Sequence, residues 1–207
     1  NNGRYDEAIT YYDKISDFNQ LSDLELSELS FKKGYCHFVN KQFGKAKTAL
    51  GKTREIRDIY FHHTNYYYGM CQYFEKDYNG AVESFKRASN ASEYAGHIPY
   101  IIAQIYFAQR DFDKLISYGE HKIGDKNTDN LKDIRLLLGQ AYFLKNDYKR
   151  ALPHLEFYES RTEKLSAEEF YQLAFCQYKL GDCEKAKSNF LELSNLDSRM
   201  GQMANYY

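Results

Sequence analysis

The feature that most constrains this chain is that it repeats itself about every 35 residues. An aromatic residue just after a turn, with a small residue three positions on, marks each period. The pairs are Tyr5/Ala8, Phe43/Ala46, Tyr78/Ala81, Phe112/Leu115, Tyr148/Ala151 and Cys183/Ala186, spaced by 38, 35, 34, 36 and 35 residues. Nine residues before each anchor, from the second onward, stand Gly34, Gly69, Ala103, Gly139 and Ala174. Four residues after the small position stand Tyr12, Leu50, Phe85, Gly119, Leu155 and Phe190. A period of this length accommodates two helices and two turns. One such pair cannot bury its apolar face alone, so pairs must stack on one another.

The predicted fold is therefore all-α: a right-handed superhelix, an α-solenoid, of stacked antiparallel helix pairs. A single solenoid is expected over 1–207. Its parts are the second helix of a truncated repeat at 1–21, repeats at 22–58, 59–93, 94–129, 130–164 and 165–199, and the start of a further truncated repeat at 200–207. Such ends predict a chain cut from a longer array, self-associating through them at high concentration.

Local signals agree with the period. Asp77, Asp111, Asp147 and Asp182 each precede an anchor and can cap the second helix of a pair. Ser22–Glu25 and Ser166–Glu169 have the spacing of capping boxes for first helices. The pattern predicts close approach at Gly69 and Ala81, with Phe85 filling the space beside them. Leu115 and Gly119 reverse the usual order of small and large, a volume exchange one turn apart. Pro153 falls beyond the first turn of a second helix and should kink it. Cys183, in place of an aromatic anchor, predicts a looser last pair.

The Gly, Tyr, Ala and Phe positions and their period resemble the tetratricopeptide repeat (TPR) over essentially the whole chain. The phrases GQAYFLKNDYKRALPHLE and QLAFCQYKLGDCEKAKSNF further resemble long bacterial TPR proteins of the cell envelope, among them coordinators of outer-membrane assembly and of the Tol-Pal system. That likeness favours a periplasmic or envelope address, with the cytoplasm left open. No signal peptide is expected within this segment, and no apolar run approaches the roughly 20 residues that cross a bilayer, so it is not expected to insert.

In the resembled family, the residues three before, one after and four after the Gly/Ala line a concave groove that holds an extended peptide or a partner helix. On a helix these positions share one face. Here they are Phe31, Tyr35 and Phe38; Tyr66, Met70 and Tyr73; Tyr100, Gln104 and Phe107; Leu136, Gln140 and Phe143; Tyr171, Phe175 and Tyr178. His63, His97, Glu28, Asp133 and Glu168 would edge the groove. Phe38, Tyr73, Phe107, Phe143 and Tyr178 are the positions best explained as padding. Tyr66, Tyr100, Tyr171, Gln104 and Gln140 are the stronger candidates for contact. The candidate partner-binding set is thus Phe31, Tyr35, His63, Tyr66, Met70, His97, Tyr100, Gln104, Leu136, Gln140, Tyr171 and Phe175. Within the run Tyr66–Tyr67–Tyr68, Tyr66 should face the groove and Tyr68 a neighbouring repeat, with Tyr67 between. The Lys and Asn clamp by which chaperone-binding TPR domains hold a carboxylate is missing: Phe31, Tyr35, Tyr67, His63, His97 or Ile101 stand in its places.

Chemistry is hard to find. No phosphate loop, H-E-x-x-H or G-x-S-x-G motif is present, and no catalytic residue or cofactor is expected. Cys36, Cys71 and Cys176 share one place in the repeat with Ile105 and Ala141, which makes it an apolar packing slot. A Cys176–Cys183 disulfide is the alternative. His62 and His63 are adjacent, and His97 lies one repeat from His63 on a neighbouring helix about 10 Å away, too far to share a metal. A net charge of −1 from 28 basic and 29 acidic residues argues against nucleic acid. An RNA-reading helical repeat would need a basic groove. The expected function is a non-catalytic scaffold for a protein or peptide partner, in an aromatic-lined groove of a longer bacterial protein. The alternative is a structural spacer or assembly module with no ligand of its own.

Overall fold

A computed structural model describes residues 2–15 and 20–194. The expected start of a further repeat at 200–207 lies outside the described residues, as do residues 195–199. The chain divides into two compact units, Asn1–Ile98 and Pro99–Tyr207.

The first unit holds α1 (Asn2–Tyr12), α2 (Asp23–Val39), α3 (Phe43–Gly51), α4 (Phe61–Phe74), α5 (Tyr78–Ala88) and the one-turn α6 (Ser92–Ala95). The helices α1 to α5 pack in sequence, and α2 also meets α4. The second unit holds α7 (Ile98–Ala108, beginning at the boundary), α8 (Phe112–Lys122), α9 (Leu131–Leu144), α10 (Tyr148–Glu159), α11 (Ala167–Lys179) and α12 (Cys183–Ser194). There α8 to α12 pack in sequence, with α9 also touching α11. The described chain is all-α, built of paired helices.

The predicted anchors Phe43, Tyr78, Phe112, Tyr148 and Cys183 are the first residues of α3, α5, α8, α10 and α12. Asp77, Asp111 and Asp147 cap their helices by accepting from the backbone N–H of Gly80, Lys114 and Arg150, and Asp182 accepts from that of Lys185. Both capping boxes form, Ser22 with Glu25 and Ser166 with Glu169. The Ser22 hydroxyl and backbone hold the Glu25 carboxyl below its usual range. One periodic feature escaped the sequence reading. Lys41, Lys76, Arg110, Asn146 and Gly181, one at each turn between paired helices, adopt left-handed backbone with φ from 57 to 86°. Only Gly181 and Asn146 carry residue types that a left-handed position favours.

Packing details two of these expectations. The nearest neighbours of Gly69 are Ser84 and Phe85: a Cβ there would lie 3.0 Å from Ser84 Cβ and 3.1 Å from Phe85 Cε1. Phe85 is fully buried beside it. At the reversed pair, Leu115 is fully buried, and the space left by Gly119 is taken by Leu138, 2.9 Å from where a Cβ would stand. The exchange of volumes therefore draws in the next helix, α9. The α10 helix continues through Pro153. Pro153 is exposed, and so is Lys149, whose carbonyl loses the proline's missing N–H; water can satisfy it.

Candidate functional site

In the first unit the predicted face of α2 and α4 is a continuous patch of rings. Phe31 lies 6.1 Å from Tyr35 and 5.6 Å from His63, centre to centre. Tyr67 meets Phe31, Tyr35 and Phe38 at 6.0, 5.1 and 5.1 Å, so it joins α4 to α2. Tyr68 turns the other way. It packs with Ala46 and Leu50, beneath the Arg54 guanidinium at 4.5 Å. Tyr66 stacks on Tyr94 of α6, with centroids 4.2 Å apart and planes 13° from parallel. Phe31, Tyr35, His63, Tyr66, Met70 and His97 are all half-buried.

Hydrogen bonds order this patch. His63 Nδ1 lies 2.8 Å from the Tyr94 hydroxyl and 2.8 Å from Glu93 Oε1. His97 Nε2 lies 3.2 Å from the Tyr66 hydroxyl. Burial, helped by neighbouring Tyr35 and Tyr66, pushes the Tyr67 phenol up to about 12. Burial first, then a hydrogen bond with Glu93, raises Tyr94 as well. These phenols stay neutral and act as hydrogen-bonding groups on an apolar surface. At the rim, Glu28 pairs with Lys32.

In the second unit, Tyr171 and Phe175 of α11 lie 5.6 Å apart, and both approach Phe143 of α9, at 6.4 and 5.8 Å. Tyr148 closes this group, 5.5 Å from Phe175. Leu136 packs against the same core as Phe143. Tyr100, Gln104 and Gln140 are half-buried. Glu168 accepts from Gln172 Nε2 at 3.2 Å, and Asp133 lies in the first turn of α9. The padding positions behave unevenly. Phe38, Tyr73, Phe107 and Phe143 each rest against the aromatic residue that begins the paired helix, whereas Tyr178 is 42% exposed.

Sequence reasoning missed Tyr94 and Tyr60, which reach the patch from the connection before each first helix. They stand 34 residues apart, each nine before the Gly or Ala of its repeat (Gly69 and Ala103), and that recurrence was the signal that could have found them. The cysteines follow the packing reading. Cys36, Cys71 and Cys176 are buried, Cys183 is exposed, and all four are free. Burial raises the Cys71 and Cys176 thiols to about 12.

Residues 170–196 match the family model of the tetratricopeptide repeat. Among curated proteins, none matches the chain. Solved structures of similar fold include YrrB, described as a TPR protein with an unusual peptide-binding site (TM-score 0.65, 14% identity, 86% of this chain and 91% of that one). MamA is similar over 82% of this chain and 90% of its own (TM-score 0.64, 17% identity). PilF of Pseudomonas aeruginosa is similar over 99% and 96% (TM-score 0.63, 14% identity). At these identities the likeness is one of fold. The repeat model is matched in α11 and α12, and over the rest of the chain the likeness to tetratricopeptide repeat proteins is one of fold.

Proposed function

We propose that this chain is a non-catalytic interaction scaffold whose first helices hold a peptide segment or partner helix against their aromatic faces. The observation that carries the reading is the half-buried row Phe31, Tyr35, Tyr66 and Met70 on α2 and α4. The pair Tyr171 and Phe175 on α11 repeats it in the second unit. Rings that are half covered by neighbours lose little freedom on binding and offer large apolar area, as recognition surfaces do. His63, His97, Gln104 and Gln140 add hydrogen-bonding groups. Half the chain's candidate residues lie in each unit, so each is read as a separate contact region. The peptide-binding site ascribed to YrrB supports a peptide as the partner class. The resemblance to envelope repeat proteins supports a place within a longer bacterial protein.

The test is selection from a displayed random-peptide library, followed by affinity measurement on variants. Tyr35→Ala and Met70→Ala should each weaken a first-unit binder by about tenfold, the loss expected when a buried contact is truncated. Tyr171→Ala should do the same for a second-unit binder. A library that yields no binder sensitive to these residues would favour the structural-spacer reading.

A further inference from the structure

On the other side of α2 lies a polar cavity that the aromatic face does not use. It has a volume of about 560 Å³, inside the range of about 300–1,000 Å³ usual for small-molecule sites. Its floor comes from α2 through Leu29, Ser30, Lys33 and His37, while Phe31, Tyr35 and Phe38 occupy the aromatic face. Ile9 of α1 and Ala49 of α3 complete an apolar lining.

The cavity exists because of one departure from the repeat. Lys33 precedes Gly34 as Tyr68 precedes Gly69 and Leu138 precedes Gly139. Tyr68 and Leu138 fill the space beside them, Tyr68 in the core and Leu138 against Gly119. Lys33 instead reaches out to pair with Asp13. The space beside it stays open and polar.

Polar groups are left over inside it. Ser30 is only 4% exposed and His37 only 6%. Ser30 has no hydrogen-bond partner among the described residues. His37 uses Nδ1 on Gln42 Oε1 at 2.8 Å and has no partner there for its other ring nitrogen. The equivalent Gln72 is satisfied on both sides, by Ser84 at 2.7 Å and Asp77 at 2.8 Å. On the wall, exposed Lys45 makes no ion pair among the described residues. Of the charged lining, Lys33 is paired with Asp13, which leaves Lys45 as the cation turned to the cavity without an ion pair among the described residues.

We propose that this cavity is a binding site for a small organic acid, a monocarboxylate carried on an apolar body. The carboxylate takes the Lys45 ammonium and the Ser30 hydroxyl, and the apolar body rests on Ile9, Leu29 and Ala49. A single negative charge matches the one Lys45 ammonium.

The test is titration of the intact chain with hexanoate, followed by backbone NMR, with hexylammonium and inorganic phosphate as counter-probes. Hexanoate should shift the signals of Ser30, His37 and Lys45 and leave those of Tyr66 and Tyr171 in place. Lys45→Glu, an exposed change that spares the core, should weaken hexanoate by at least about tenfold, the loss of one charge-assisted hydrogen bond. Ser30→Ala should weaken it too, once circular dichroism shows an unchanged fold. Equal binding of hexylammonium would overturn the proposal, because charge would not matter. Equal binding of phosphate would overturn it as well, because the apolar lining would not matter. An unchanged affinity in Lys45→Glu, or no shift at the cavity, would do the same. None of these outcomes bears on the aromatic face, and the peptide test does not use Lys45 or Ser30.

Discussion

Gly34→Ala separates what repeat alignment predicts from what packing predicts. Alanine occupies the equivalent place at Ala103 and Ala174. Alignment would therefore treat the change as neutral, and helix propensity would favour it by about 1 kcal/mol. The surroundings of Gly34 say otherwise. A Cβ there would stand 2.5 Å from Leu50 Cγ, 2.7 Å from Leu50 Cδ2 and 3.3 Å from the Ala46 carbonyl oxygen. Leu50 is fully buried, and Ala46 beneath it is too, so neither has room to retreat. Overpacking of this kind costs about 1–3 kcal/mol. Contacts of 2.5 and 2.7 Å put this clash in the upper part of that range, about 2–3 kcal/mol, so set against the propensity gain the net loss should be about 1–2 kcal/mol. For a chain of this length that lowers the thermal midpoint by roughly 2–8 °C. The decisive assay is urea unfolding followed by circular dichroism on a double-mutant cycle with Leu50→Ala. Alone, Leu50→Ala should cost about 2–5 kcal/mol. In the Gly34→Ala background it should cost less, by about the overpacking energy, because the clash goes with the side chain. Additive costs, or a Gly34→Ala protein as stable as the original, would refute the reasoning.

Further outcomes follow from local features of the fold. Burial holds the His154 imidazole below its ordinary value of 6.5, against the opposing pull of Glu120 3.1 Å away. The unfolded chain therefore takes up this proton before the folded one does, so stability is fully present above 6.5 and is lost as pH falls below it. His154→Gln should flatten that part of the stability–pH curve, and an unaltered slope would show that another group is responsible. Among the thiols, only exposed Cys183 should react with maleimide in the folded protein, while Cys36, Cys71 and Cys176 should react only after denaturation; rapid native labelling of a second thiol would contradict their burial. Ser166→Ala removes one half of a capping box and should cost about 1 kcal/mol, measured by thermal unfolding, whereas Ser166→Asp should largely retain the cap.

Much of the fold and part of the candidate site were legible in the residues alone. Helix starts were, because capping is local: Asp77, Asp111 and Asp147 act on backbone N–H groups three residues away. The ring-bearing face was, because helical spacing sets which side chains share a face. Tyr94 was not, because its place in the repeat is aromatic elsewhere only at Tyr60, and a stack on Tyr66 from a connecting turn is decided by tertiary packing. Nor were the left-handed turns at Lys41, Lys76 and Arg110, since these residue types seldom signal positive φ.

By itself, then, the sequence determined the paired-helix architecture, the caps and the small-residue register, all of which rest on interactions within a few residues or on a repeated pattern. Tertiary structure decided the rest. That Gly69 faces Ser84, that Leu138 enters the space at Gly119, and that Lys33 leaves a cavity where Tyr68 fills one are matters of volume between helices. Such volumes depend on side chains distant in sequence meeting at close-packed density, where a single methyl group changes which neighbour fits.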